Sequence, residues 1–389
     1  MLNFEFVSPT KFVFGKNAEM RVGELSAAYG KKALIHFGGG SARKSGLLER
    51  VENCLRAAGV DFIELGGVQP NPRDTLVYKG IEICKREGVD LILAVGGGSA
   101  IDSAKAIAIG ALYDGDFWDF YSGKQPEKRL ALGVVLTLPA TGSEGSFGSV
   151  VTRERDMLKR DCCCDLMRPD FALLNPELTY TLPAYQTACG ICDIMAHVIE
   201  RYMSNTTGVE ITSSLAEAVL NTVVTSAYTL LKDPNDYDAR ANVMWAGMLA
   251  HNNIVGTGRE QDWSSHQLEH ELSGLYDVAH GAGLAVVLPA FMRYQYKHNV
   301  PLFARLAVNV FGVKMDYEHP ERTAEQGIDA LEAFFRLIGL PTTFAELGAE
   351  EKDIPALVDK CAFNNGDLLG YLHPLTREQA CEVLRLACK

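Results

Sequence analysis

Two segments of the chain carry carboxylate and imidazole groups at spacings that suit a metal ion. In the first, GICDIMAHVIERYM, Asp193 and His197 are four residues apart and share one face of a predicted helix. The segment is apolar nearly all round, which predicts burial. A buried carboxylate beside an imidazole is costly unless both groups find partners. A divalent metal would be such a partner, and a metal-free hydrogen-bonded pair is the alternative on this segment alone.

The second segment, DWSSHQLEHELSGLYDVAH, holds three of the nine histidines: His266, His270 and His280. His266 and His270 again share a helical face. Imidazole and carboxylate together suit iron, zinc, nickel or cobalt without discriminating strongly among them. HQLEH is also similar to the zinc motif His-Glu-x-x-His of metalloproteases, but Gln267 stands where that motif has its general-base glutamate. A metal-dependent hydrolase is therefore disfavoured.

The tetrapeptide GGGS occurs twice, ending at Ser41 and at Ser99, each time after an apolar predicted strand and before a predicted helix. Free N–H groups and the helix dipole make such a turn an anion site. In the second copy we predict Ser99 as the helix N-cap, with Asp102 completing a variant of the capping box. The first copy is followed by Arg43 and Lys44 and lacks an acidic residue to claim a ribose 2′-hydroxyl. Because neither copy has GxGxxG spacing, a tight turn without a ligand is the alternative.

The elements that must position these groups fall into two halves. From Lys31 to Pro176, β-rich runs alternate with amphipathic helical patterns, which predicts βαβ units and a parallel sheet. From Tyr185 onward the apolar residues follow helical spacing. We predict an N-terminal α/β domain over residues 1–183 and an all-α metal-binding domain over residues 184–389. The strand-like runs are KALIHF, DFIEL, DLILAV, GVVLTLP and FALLNP.

Composition narrows the class of protein. The 389 residues include 37 Lys and Arg against 49 Asp and Glu, a net charge of −12, which opposes nucleic-acid binding. The ten cysteines include a single CxxC pair, Cys189 and Cys192, inside an apolar predicted helix, and one such pair indicates neither a disulfide framework nor a cysteine zinc site. The chain start lacks the pattern of a secretory signal, and no stretch reaches the length of a membrane span. A cytoplasmic location without a membrane or nucleic-acid partner is therefore expected.

Taken together, these segments resemble the iron-containing, group III alcohol dehydrogenases, within them the butanol dehydrogenase and aldehyde reductase branch. The resemblance covers nearly the whole chain. It depends on GGGS at 38–41, PNP at 70–72, GGGSAIDSAK at 96–105, TLPATGSE at 137–144, and the segments 190–197 and 266–280.

The resemblance implies that the α/β domain is a Rossmann-like dinucleotide-binding domain, and it implies a role for individual residues. It makes Asp193, His197, His266 and His280 the metal ligands and His270 a catalytic, non-ligand histidine near the nicotinamide and substrate. It places cofactor contacts at Gly39, Gly40, Ser41, Asn71, Gly97, Gly98, Ser99, Thr137, Thr141, Ser143 and Lys159. Two departures stand beside these positions: Gly145 and Ser146 replace larger residues, and the run RDCCCD follows Lys159.

The implied activity is NAD(P)-dependent interconversion of small primary alcohols and aldehydes, with the metal polarising the substrate oxygen and hydride passing to or from the nicotinamide. From the first glycine loop we expect a preference for NADP over NAD. Iron or zinc is the expected metal, with nickel, manganese or cobalt as alternatives, and the resemblance implies a homodimer. Other open functions are a glycerol-dehydrogenase-like or dehydroquinate-synthase-like enzyme of the same fold group and a non-catalytic metal or nucleotide sensor.

Overall fold

The structure, a computed structural model, describes residues 1–389 and contains two compact units. One unit is Val7–Leu182, and the other is Met1–Phe6 together with Pro183–Lys389. The sequence-based division had placed residues 1–6 with the first half. They group with the helical unit because the terminal amino group donates to the Thr207 carbonyl at 2.7 Å and the Leu2 N–H donates to the Gly258 carbonyl at 2.8 Å.

The unit Val7–Leu182 is built around a parallel sheet. Its strands are β1 (Lys11–Phe14), β2 (Lys32–Phe37), β3 (Asp61–Leu65), β4 (Leu91–Gly97), β5 (Ala131–Leu138), β6 (Gly148–Arg153), β7 (Leu158–Cys163) and β8 (Phe171–Leu174). Six of them pair in the order β1-β8-β5-β4-β2-β3, all in parallel. The central strands β4 and β5 are continuous apolar runs because parallel strands are covered on both faces.

Five helices belong to this unit. They are α1 (Val22–Ala27), α2 (Ser41–Lys44), α3 (Leu47–Ala57), α4 (Asp74–Glu87) and α5 (Gly98–Gly110). Helix α3 is amphipathic and buries one face, through Leu48, Val51 and Leu55, in the core beside the sheet. Helix α5 is buried along nearly its whole length, including its charged residues Asp102 and Lys105. The predicted α/β half with a parallel sheet is confirmed.

The predicted cap of α5 was wrong. The helix begins at Gly98, and no side chain caps it, so Ser99 lies within the first turn. Asp102 does not complete a capping box, because its carboxylate accepts from Ser143 Oγ at 2.5 Å and from the Val150 N–H at 3.0 Å. A Cβ on residue 98 would lie 2.4 Å from Thr141 Cγ2. The glycine there is required by the close approach of the loop that follows β5.

Strands β6 and β7 form a separate antiparallel hairpin that was not predicted. The hairpin packs on α5 and α4, and the Thr152 N–H donates to the Pro72 carbonyl at 2.8 Å. Its second strand, LKRDCC, carries charged residues where a buried strand would be apolar. The hairpin carries Lys159, one of the predicted cofactor contacts.

The second unit is helical. Its helices are α6 (Ala184–Tyr202), α7 (Glu210–Leu230), α8 (Tyr237–His251), α9 (Ser264–Tyr276), α10 (His280–Gln295), α11 (Val300–Phe311), α12 (Pro320–Leu337), α13 (Phe344–Leu347), α14 (Ile354–Lys360) and α15 (Arg377–Leu386). Short 3-10 helices over Ala18–Arg21, Phe117–Ser122, Asp165–Met167, Pro176–Thr179, Ile254–Gly256, Tyr296–His298 and Glu351–Asp353 complete the two units. None of the helices combines the length and the apolar character needed to span a membrane.

The start of α9, which carries two of the predicted site histidines, is held by a buried carboxylate. Asp262 accepts from the Ser264 N–H at 3.1 Å and from the Tyr371 and Leu372 N–H groups at 2.8 Å each. A single side chain thereby satisfies one of the free N–H groups at the helix start and ties α9 to the loop before α15. The position of α9, and with it that of its two histidines, is therefore fixed by the hydrogen bonds of Asp262 to the helix start and to the loop before α15.

Candidate metal centre and cofactor loops

Helix α6 positions Asp193 and His197 on one buried face, each about 2 % exposed. Helix α10 approaches α6 closely at Gly281, where a Cβ would lie 2.1 Å from the Cys189 carbonyl oxygen. This contact brings His280, the first residue of α10, to the face that carries Asp193. Because no larger side chain fits there, Gly281 is a structural requirement of the site.

The four predicted ligands converge on one carboxylate oxygen. Asp193 Oδ1 lies 3.4 Å from His197 Nδ1, 3.7 Å from His266 Nε2 and 3.7 Å from His280 Nε2. The ligand atoms of Asp193, His266 and His280 all lie within 4.8 Å of one another, and His197 adjoins them through Asp193. Metal–ligand bonds of about 2.1 Å would place tetrahedral donors about 3.4 Å apart. The spacing therefore suits a bound divalent ion.

Three of these atoms have no other partner. Asp193 Oδ1, His197 Nδ1 and His266 Nε2 are buried and make no hydrogen bond. Buried polar atoms are nearly always satisfied, since leaving one unpaired costs about 1–3 kcal/mol. Three unpaired atoms facing one another are explained together by a cation among them, and a metal-free Asp–His hydrogen bond does not explain them. The residues present thus fit the group that the sequence indicated.

The electrostatics of the histidines agree with this fit. Burial, together with the neighbouring His251 and His266 rings, holds the pKa of His197 well below its ordinary value. Burial also lowers the pKa of His266, but the Glu200 and Asp193 carboxylates outweigh it and raise that pKa to about 9. The lowered pKa keeps His197 neutral, with a lone pair for a cation, and the carboxylates that draw a proton to His266 would attract a metal cation in its place.

His270 lies beside this cluster. Its ring centroid is 5.7 Å from that of His280 and 6.5 Å from that of His266, and the residue is buried. Glu269, His270 and His280 form a second group whose ligand atoms are within 4.8 Å of one another. Because Glu269 is hydrogen-bonded to His280 Nδ1, the remaining nitrogen of His280 is the one near Asp193. The geometry places His270 next to the Asp193 cluster and not within it.

Sequence reasoning missed four residues that surround the cluster: Glu200, Glu269, His251 and Trp263. Glu200 and Glu269 contact the ligand histidines, and His251 lies 4.1 Å from the His197 ring. Trp263 lies 5.2 Å from the His266 ring. The one available signal was a pair of acidic residues on predicted buried helices. Each stands three residues after a predicted site histidine, a spacing that places side chains on one face.

The first glycine loop lies at the end of β2, where Gly39, Gly40 and Ser41 are exposed. A Cβ on residue 39 would have no atom within 4 Å. Arg43 is bound in ion pairs to Glu64 and Glu52, whereas Lys44 is exposed and its Cε lies 3.5 Å from where a Cβ on Gly40 would be. Of the two basic residues, Lys44 is therefore the one close to the loop itself.

The second loop brings several predicted cofactor residues together. Gly97 ends β4 and Gly98 begins α5, against Thr141, whose Oγ1 accepts from the Ser143 N–H at 3.1 Å. Ser99 lies in the first turn of α5, and Thr137 lies near the end of β5. These residues line one edge of the sheet, where the N–H groups at the start of α5 are available to an anion.

Asn71 and Lys159, two further predicted cofactor residues, are in contact with each other in this unit. Lys159 Nζ donates to Asn71 Oδ1 at 3.0 Å, and both residues are buried. Asn71 has a φ of 53°, a left-handed conformation that asparagine tolerates better than most residues.

A cavity of about 290 Å³ opens next to the loop that carries Asn71. The cavity adjoins the first glycine loop, since the Gly67 N–H donates to the Gly38 carbonyl. It is lined by Gly67, Gln69, Arg73, Thr75, Leu76, Lys79 and Glu154.

Behind the second glycine loop lies a buried group of charges. Lys105 Nζ donates to the carbonyl oxygens of Ser146 at 3.1 Å and Gly148 at 2.7 Å, and burial lowers the pKa of Lys105 to about 8. Glu144 Oε1 is buried without a hydrogen-bond partner, and burial raises the pKa of Glu144 to about 7. This group fixes the segment that joins Ser143 to the hairpin.

Glu144→Gln is expected to flatten the pH dependence of the free energy of unfolding. Because the folded-state pKa of Glu144, about 7, lies above its ordinary 4.5, the protonated carboxyl stabilises the fold fully below pH 4.5. That stabilisation, about 3 kcal/mol, is lost as the pH rises through 7. Denaturant titrations at several pH values measure it, with exposed Glu127→Gln as the matched control. Parallel pH profiles of the unchanged protein and Glu144→Gln would contradict the expectation.

Comparison with known proteins places this combination of a parallel-sheet nucleotide fold and a buried Asp and His cluster in one class. The iron-containing alcohol dehydrogenase model matches residues 9–176, and the C-terminal model of the Fe-containing alcohol dehydrogenase family matches residues 187–388. The chain therefore belongs to the iron-containing alcohol dehydrogenase family, which confirms the resemblance inferred from its motifs.

Individual relatives narrow the branch. The chain is 39 % identical over 389 residues to NADH-dependent butanol dehydrogenase A of Clostridium acetobutylicum, with 99 % of each chain covered. It is 34 % identical over 391 residues to the NADPH-dependent aldehyde reductase YqhD of Escherichia coli, with both chains fully covered. The crystal structure of NADH-dependent butanol dehydrogenase A from Thermotoga maritima superposes with a TM-score of 0.96 at 38 % identity, covering 100 % of this chain and 99 % of that one.

Proposed function

We propose that this chain interconverts small aldehydes and primary alcohols with a nicotinamide cofactor and a divalent metal held by Asp193, His197, His266 and His280. The observation that carries the proposal is the set of three buried, unpartnered atoms at the centre of these residues. Imidazole and carboxylate donors suit iron and zinc, which we propose as the metal; nickel, manganese and cobalt accept the same donors. The dehydrogenase and aldehyde reductase names of the relatives support the reaction class.

When bound, the metal would supply Lewis acidity toward the substrate oxygen and the nicotinamide would supply or accept the hydride. The side chains of the protein orient these groups and handle the proton. His270, beside the cluster, has a ring nitrogen that can give a proton to the substrate oxygen in reduction and take one in oxidation. Trp263 covers the side of His266 and His197, with ring centroids 5.2 and 5.9 Å away, and restricts access of water there.

The preferred cofactor in this proposal is NADPH. Gly39 contributes no carboxylate that would repel a 2′-phosphate, Ser41 offers a hydroxyl at the start of α2, and Lys44 lies beside Gly40. Arg43 contributes less than the sequence indicated, since it is bound to Glu64. The relatives include both NADH-dependent and NADPH-dependent enzymes.

Gly39, Gly40, Ser41, Gly97, Gly98 and Ser99 are proposed to hold the adenosine and pyrophosphate parts of the cofactor. Asn71, Thr137, Thr141, Ser143 and Lys159 are proposed to complete its site. In support, these positions form compact groups at loop ends, where N–H donors and the Lys159 ammonium suit phosphate oxygens. A homodimer is likewise proposed from the family resemblance.

Turnover after reconstitution with one metal at a time tests the proposed function. The metal-stripped protein is loaded with iron, zinc, manganese or nickel and assayed with butanal, glyoxal and glycerol against both reduced and oxidised cofactors. We expect metal-dependent loss of NADPH absorbance with butanal or glyoxal. Turnover confined to glycerol with the oxidised cofactor would favour a glycerol dehydrogenase. Tight metal and nucleotide binding without any turnover would favour a sensor.

A further inference from the structure

Two of the proposed metal ligands share a feature that the proposed function does not use. The Nδ1 atom of His266 is hydrogen-bonded to Glu200 Oε2, and the Nδ1 atom of His280 is hydrogen-bonded to Glu269 Oε2. Both glutamates have no exposed surface. In each pair the other ring nitrogen, Nε2, lies 3.7 Å from Asp193 Oδ1. Each ring therefore stands between a glutamate and the centre of the cluster.

Glu200 is held in place from several directions. Its Oε1 accepts the backbone N–H groups of Ser265 at 2.6 Å and His266 at 3.2 Å, at the start of α9. Glu200 itself is on α6, three residues after His197, so it joins the two helices that carry the ligands. With Oε2 on the imidazole, the carboxylate accepts from three N–H donors. This arrangement suits a carboxylate, which only accepts, and leaves it little freedom to turn.

Glu269 is fitted into a space that a glycine provides. A Cβ on Gly283, one turn into α10, would lie 2.6 Å from Glu269 Oε1. Helices α9 and α10 pack against each other here, and the absence of a side chain at residue 283 lets the carboxylate lie beside His280. The position of Glu269 is therefore determined by the helix packing as well as by its hydrogen bond.

A carboxylate that accepts from Nδ1 requires a proton on that nitrogen. In a neutral imidazole the lone pair must then be on Nε2, the atom that faces the Asp193 oxygen. His197 differs, since its ring is held between the rings of His251 and His266 at centroid distances of 4.1 and 4.6 Å. Two of the three histidines thus have their ring orientation and tautomer set by a buried glutamate, whereas ring contacts restrict only the orientation of the third.

We propose that Glu200 and Glu269 are positioning residues for the metal. They keep His266 and His280 in the tautomer that binds a divalent cation through Nε2, and their charges increase the affinity of the site for that cation. The inference depends on the proposed metal centre and goes beyond it, since neither glutamate is among the four proposed ligands. Removing either carboxylate should weaken metal binding without removing a ligand.

The test measures cobalt binding directly, without turnover. Glu200→Ala and Glu269→Ala should bind Co²⁺ about 10- to 100-fold more weakly than the unchanged protein, in competition with a chelator. Glu200→Gln and Glu269→Gln keep an oxygen acceptor but lose the charge, so they should retain part of that affinity. The visible spectrum of bound Co²⁺ reports ligand geometry and should shift in the alanine variants. A merely structural role would leave that spectrum unchanged in protein that remains folded.

Glu217→Gln provides the matched control. Glu217 is a buried glutamate of the same unit that binds Tyr202, Arg305 and Asn309 and contacts no histidine. It should change stability but not cobalt affinity. Where an alanine variant does not fold, cobalt affinity is measured in the glutamine variant instead. For Glu269 it is also measured in Gly283→Ala, which displaces the carboxylate without removing it and should therefore weaken cobalt binding.

The outcomes separate this inference from the proposed function. Unchanged cobalt affinity and spectrum in folded Glu200 and Glu269 variants would overturn the positioning role and leave the metal centre intact. Absence of cobalt binding by the unchanged protein would overturn both. Normal cobalt binding without any turnover would contradict only the proposed reaction.

Discussion

His266→Ala is expected to lose most of its bound metal and to reduce turnover by about 1000-fold or more, since Lewis-acid stabilisation is worth several kcal/mol. His266 Nε2 is one of the three unpartnered buried atoms, and it lies 3.7 Å from Asp193 Oδ1. Replacing the imidazole by a methyl group removes a ligand and leaves Glu200 without one of its donors. Elemental analysis of the purified variant and steady-state rates with butanal measure the two effects.

His270→Ala is the control for this expectation. His270 is on the same helix, one turn away and equally buried, but outside the Asp193 cluster. It should retain its metal while losing roughly 100- to 10,000-fold in rate, the range found when a general acid or base is removed. Full metal occupancy in His266→Ala would show that His266 is not a ligand. Metal loss in His270→Ala would show that His270 is itself a ligand.

The candidate ligands could be predicted because their spacing has a direct meaning in a helix. Asp193 with His197 and His266 with His270 are four residues apart, so one face of each helix was defined before the fold was known. The partners of these residues could not be predicted in the same way. Glu200 meets His266 from another helix, 66 residues away in sequence. That contact depends on how α6 and α9 pack, which no local pattern determines.

The fold shows the same division between local and non-local information. Runs rich in β-forming residues predicted five strands of the parallel sheet, most clearly the central β4 and β5, because strands covered on both faces must be apolar. The hairpin of β6 and β7 was missed because its pairing partner, not its own residues, makes LKRDCC a strand. The prediction of Ser99 as the N-cap of α5 was wrong for a related reason. Asp102 finds its donors on Ser143 and Val150, more than 40 residues away in sequence, instead of at the helix start.

Gly39→Asp is expected to reduce catalytic efficiency with NADPH by about 100-fold or more and to affect NADH far less. Like charges about 4 Å apart near a protein surface repel by roughly 4 kcal/mol, so a carboxylate facing a 2′-phosphate would be strongly unfavourable. With NADH the same carboxylate can accept a hydrogen bond from the ribose hydroxyl. The substitution is sterically possible, because Gly39 does not have a positive φ and no atom lies within 4 Å of the added Cβ.

Three further variants show which group in the first glycine loop recognises the phosphate. Gly39→Ala adds the same Cβ without charge, so it should leave both efficiencies nearly unchanged. Lys44→Ala should selectively lower the catalytic efficiency with NADPH, because Lys44 lies over Gly40. Arg43→Ala should have little effect, because Arg43 is bound to Glu64 and Glu52. Steady-state kinetics with both cofactors at fixed ionic strength give the ratios, since phosphate contacts are sensitive to salt. Equal efficiencies with NADH and NADPH in the unchanged protein, or an equal loss for both in Gly39→Asp, would show that this loop does not distinguish the two cofactors.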